Sequence, residues 1–62
     1  MARDLADFQI RVFGRDGELL AYLILPAANA HEATLQAELF ISSDTTRAEI
    51  WSDGALLETI SA

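Results

Sequence analysis

His31, the chain's one histidine, stands directly before Glu32, and there is no cysteine. An imidazole beside a carboxylate is the smallest pair that can move a proton, but it becomes catalytic only with a nucleophile or a metal to act on. Neither follows from the sequence. No serine sits in a strand-turn-helix nucleophile context, and a single His followed by Glu is not the two-histidine spacing of a zinc-binding helix. His31 therefore reads as a surface residue in a first helical turn. Two carboxylate pairs are the other candidates: Asp16 with Glu18, and Glu49 with Glu58. Each supplies two acidic side chains, whereas calcium needs a loop with periodic oxygen ligands. Gly14 and Gly17 do not form a phosphate-cradling pattern. No catalytic, cofactor-binding or metal-binding residue is assigned, and the chain reads as a non-enzyme.

Charge narrows the partners further. Ten acidic residues face four arginines, for a formal net charge of −6. Phosphate backbones demand a Lys/Arg footprint, so direct nucleic-acid binding is not expected, and anionic membrane surfaces are disfavoured for the same reason. The longest apolar run, Leu19 to Pro26, is too short to span a bilayer. No basic-then-apolar start resembles a signal peptide, which points to the cytoplasm. At 62 residues the chain reads as one domain near the lower size limit for a single core, and without Cys it has no disulfide to staple it.

The elements that position these side chains are marked by two Asp-Gly pairs, Asp16-Gly17 and Asp53-Gly54, each between apolar segments. Asp-Gly favours a two-residue hairpin turn because both central positions need positive φ. The predicted order is a polar lead-in over 1–7, a β-hairpin over 8–25, a helix over 29–41 and a second hairpin over 47–61. Pro26 ends the second strand, and Asn29 is a helix N-cap, with Glu32 three residues on. The fold class is α+β, ββαββ: a four-stranded, mostly antiparallel sheet with the helix packed on one face. Strand order stays open, 2-1-3-4 being the arrangement that keeps every pair antiparallel.

Turn placement sets the register and so the faces. A two-residue first turn opposes Gly14 to Leu19, Val12 to Ala21, Ile10 to Leu23 and Phe8 to Leu25, an apolar side suited to the helix. The same logic opposes Ser52 to Ala55, Ile50 to Leu57 and Ala48 to Thr59. On the helix, Ala30, Ala33, Ala37, Phe40 and Ile41 share one stripe, while Leu35 and Leu39 point roughly the opposite way. The open face of the sheet then shows Phe13, Leu20, Tyr22, Ile24, Trp51, Leu56 and Ile60. There Glu49 opposes Glu58, a clash that Arg11 or Arg47 is placed to relieve. Such an apolar face on a small chain points to self-association or a protein partner. Leu35 and Leu39 form the alternative surface. Strand-edge pairing is a third route, since no Lys or interior Pro guards an edge. The string Asp-Gly-x-Leu-Leu occurs at Asp16 to Leu20 and at Asp53 to Leu57, and opposite parity of the leucines argues for convergent turn chemistry rather than duplication.

The segments Phe8-Gln-Ile-Arg-Val-Phe13, Ala28-Asn-Ala-His-Glu-Ala33 and Ala48-Glu-Ile-Trp-Ser-Asp-Gly-Ala-Leu-Leu57 together resemble small uncharacterised bacterial ββαββ proteins. The resemblance implies an α+β fold and a bacterial source, and it carries no activity. The functional expectation is a non-catalytic module for protein interaction or homo-oligomerisation, a homodimer at its simplest. Two alternatives stand beside it: a small-ligand-binding or sensory domain with its site at a dimer interface, and an acidic inhibitor or decoy of a nucleic-acid-binding protein.

Overall fold

The computed structural model describes residues 4–61. Strands β1 (Ala6–Gly14) and β2 (Leu19–Ala27) form one hairpin. Helix α1 (Ala30–Ala37) and a 3-10 turn (Glu38–Phe40) lead into the second hairpin, β3 (Thr45–Ser52) and β4 (Ala55–Ser61). The strands make one sheet in the order β2-β1-β3-β4, with each neighbouring pair antiparallel. This is the expected ββαββ arrangement. Because β2 and β3 flank β1, the helical connection crosses β1, and α1 packs against all four strands to close the inner face. Pro26 lies inside β2, opposite Asp7, rather than ending it. An edge strand tolerates this, because its outward positions need no ladder donor.

The two Asp-Gly turns differ. Asp53 and Gly54 have φ of 52° and 77°, the expected two-residue turn with both centres left-handed. In the first hairpin Gly14 N donates to Glu18 O at 2.9 Å and Gly17 N donates to Gly14 O at 3.0 Å. Only Gly17 is left-handed there, at 77°. The loop is therefore three residues, Arg15-Asp16-Gly17, the other common hairpin solution.

Each hairpin also carries a β-bulge at the second leucine of the repeated string. In β2, Ala21 faces Val12 and Leu19 faces Phe13, which leaves Leu20 as the extra residue. In β4, Leu56 faces Trp51 and Glu58 faces Ile50, which leaves Leu57. In the first hairpin the longer loop and the bulge offset each other, so Phe8–Leu25, Ile10–Leu23 and Val12–Ala21 pair as read from the sequence. The tight second turn has nothing to offset. Beyond Leu57 the register moves by one: Ala48 faces Ile60 rather than Thr59, and Glu49 faces Thr59 rather than Glu58. The Glu49–Glu58 opposition does not arise. The parity argument against duplication falls as well, since Leu19 and Leu56 now occupy matching positions opposite Phe13 and Trp51.

The core is small. Phe8, Ile10, Val12, Ala27, Ala33, Ala37, Ala48 and Ile50 are its buried apolar residues, and Ile10 and Ile50 face each other across β1 and β3. Asn29 caps α1 as expected, its Oδ1 accepting from Glu32 N at 2.8 Å. Ala33 and Ala37 are fully buried, with Ala30 and Ile41 packed alongside. Phe40 is not part of this stripe and stays 45% exposed. The α-helix stops at Ala37, and the tighter turn that follows does not continue the 100° spacing on which that placement rested.

Candidate interaction surface

Opposed residues in an antiparallel sheet share a face, so the pairings map the open side row by row. The first row runs Ile24, Gln9, Trp51, Leu56. The second runs Tyr22, Arg11, Glu49, Thr59, and the third Leu19, Phe13, Arg47, Ser61. The centre of this face, on β1 and β3, is tied together. The Arg11 guanidinium lies 4.5 Å from the Trp51 ring centre and 5.9 Å from that of Tyr22. Arg47 lies 4.2 Å above Phe13 and pairs through Nε with Glu49 Oε2 at 3.2 Å. Trp51 Nε1 donates to Glu49 Oε1 at 3.0 Å. Two cations, one carboxylate and three rings therefore interlock, and the guanidinium planes cover aromatic surface that would otherwise meet water.

This arrangement sorts the residues expected on the face. Phe13 and Trp51 are there and half-buried under the arginines, while Tyr22, Ile24 and Leu56 are there and exposed. Leu20 and Ile60 are not. Ile60 turns inward and packs against the core, because the Leu57 bulge reverses the parity of β4. A side chain at Gly14 would point away from the Phe13 face, and Leu20 Cδ1 lies 3.3 Å from where its Cβ would be. Leu20 therefore folds toward the helix side. Leu19, read as an inner residue, takes its place opposite Phe13 and is 53% exposed. No alternation rule distinguishes adjacent leucines beside a bulge, which is why the sequence assigned the wrong one.

The exposed apolar residues thus concentrate on the two edge strands: Leu19, Leu20, Tyr22 and Ile24 on β2, and Leu56 and Leu57 on β4. A second cluster sits on the helix side, where Leu35, Leu39 and Phe40 are exposed, Leu39 the most at 83%. His31 is exposed, and Asp16, Glu18 and Asp44 line a shallow depression beside the first turn with Gly14, Arg15 and Leu20. Glu18 Oε1 there accepts from Asp16 N at 3.2 Å, a turn contact. No group of three or more His, Asp or Glu side chains suited to a metal ion occurs among the described residues. No helix among them is long and apolar enough to cross a membrane. No family model, curated protein or solved structure matches the chain.

Proposed function

We propose that the protein is a non-catalytic interaction module of the bacterial cytoplasm that acts through self-association, as a homodimer in its simplest form. One observation carries this reading: α1 covers only the inner face of the sheet, and the outer side keeps Leu19, Tyr22, Ile24 and Leu56 about half exposed at its margins. Monomers rarely leave a strand such as β2, with Leu19, Tyr22 and Ile24 on one face, open to water. Among the described residues the core is eight buried apolar side chains, four of them alanine, which gives little stability to spare, so burial against another copy contributes a large share.

Sedimentation of the wild type, Tyr22→Glu and Leu35→Glu tests the reading. The expected result is a dimer for the wild type and Leu35→Glu, and a monomer for Tyr22→Glu. A wild type that stays monomeric at high micromolar concentration overturns self-association. Loss of the dimer in Leu35→Glu alone moves the interface to the helix.

A further inference from the structure

We infer that the occupant of the exposed surface is a second copy of the chain docked along the β2 edge, joining two four-stranded sheets into one continuous eight-stranded sheet. The inference rests on the interaction reading and specifies which part of the surface is used. β2 is an outer strand of the sheet, so half of its backbone N–H and C=O groups face away from β1. Groups of that kind are best satisfied by another strand. From Leu19 to Ala30 the chain has no charged residue, although the molecule as a whole carries −6. It is therefore a long stretch along which two acidic copies can meet without opposing like charges.

The geometry of β2 makes the pairing self-complementary. Its regular part lies between the Leu20 bulge and Pro26, over Ala21 to Leu25, and Leu23 is the midpoint. A two-fold axis at Leu23 sets antiparallel strands so that Tyr22 faces Ile24 of the second copy, and Ala21 faces Leu25. Opposed side chains share a face, so Tyr22 and Ile24, which are 48% and 58% exposed, cover each other twice on the outer side. Leu23 meets its own counterpart on the inner side, extending the core row. The other edge does not offer this. β4 is interrupted by the Leu57 bulge, and the midpoint of Ala55–Ser61 is Glu58, so a symmetric β4 pairing would oppose two carboxylates.

Amide hydrogen exchange of the wild type, read residue by residue at low and high micromolar concentration alongside sedimentation, tests the inference. In a lone molecule, or in a dimer docked face to face, alternate amides over Ala21 to Leu25 point to solvent and exchange fast. Pairing along β2 predicts that these fast amides slow by at least about tenfold as the dimer forms, giving unbroken protection across the segment. It also predicts that Tyr22→Lys and Ile24→Lys abolish the slowing while the amides facing β1 stay protected, and that Leu56→Lys leaves it intact. A dimer with persistently fast alternate amides overturns the β2 pairing and leaves the interaction reading standing. A monomer at every concentration overturns both.

Discussion

Glu49 serves two partners at once, Arg47 Nε at 3.2 Å and Trp51 Nε1 at 3.0 Å, and its side chain is only 15% exposed. Removing it leaves an indole N–H half-buried without its acceptor and Arg47 without its carboxylate partner. Glu49→Ala should therefore cost about 1–3 kcal/mol in urea unfolding. Arg47→Ala removes a side chain that is 45% exposed in a solvent-screened pair, together with its stacking on Phe13, and should cost about 1 kcal/mol or less. The opposite order would mean that stacking, rather than the carboxylate, holds the outer face together. The turns depend on single residues in another way. Gly17 and Gly54 both adopt φ of 77°, where a β-branched side chain is strained. Gly17→Val and Gly54→Val should each destabilise by more than about 1 kcal/mol, with melting temperature as the measurement. A neutral Gly54→Val would mean that the second turn relaxes into a longer loop.

Helix α1 approaches the sheet closely because its contact side is alanine. Ala33 and Ala37 are fully buried over a sheet whose centre is the Ile10–Ile50 pair. Ala37→Leu should force the layers apart at about 1–3 kcal/mol, and Ile10→Ala should cost about 2–5 kcal/mol by leaving a cavity. Phe40→Ala should cost far less than Ile10→Ala, since Phe40 is nearly half exposed; chemical denaturation of the two variants side by side checks the order. Asn29→Ala removes the cap on Glu32 N and should cost about 1 kcal/mol. What the sequence disclosed at this scale was chemistry with a short range: the Asn29 cap, the left-handed glycines, and the alternation of Phe8, Ile10 and Val12. What it hid were insertions. A bulge adds one residue without changing composition, and at Leu19-Leu20 and Leu56-Leu57 the added residue is the twin of its neighbour. The first bulge was silent in the distant register because a longer loop offset it. The second redirected Ile60, and it removed the Glu49–Glu58 opposition that a two-residue turn without a bulge implies.

The molecule as a whole carries −6, and two copies repel each other wherever they meet. How salt changes association therefore reports which surface is used. Docking through the outer sheet face brings Arg11 and Arg47, with their rings and Glu49, into the contact, and opposite charges arranged across it would weaken as ionic strength rises. Docking along β2 brings together backbone groups and Tyr22, Leu23 and Ile24, none of them charged. The main long-range electrostatic term is then the mutual repulsion of two acidic bodies, which salt screens. A dimer paired on β2 should accordingly tighten as sodium chloride is raised from low to physiological ionic strength. Sedimentation equilibrium at the two salt levels, with exchange protection confirming that the monomer stays folded, gives the dissociation constants directly. A dimer that loosens with salt would place the charged centre of the outer face, and not the apolar edge, at the interface. The direction also bears on solubility. A two-fold β2 pairing uses the same edge on both copies and closes, leaving outermost the β4 edges with their bulge and Glu58, so added salt should yield dimers rather than growing fibres.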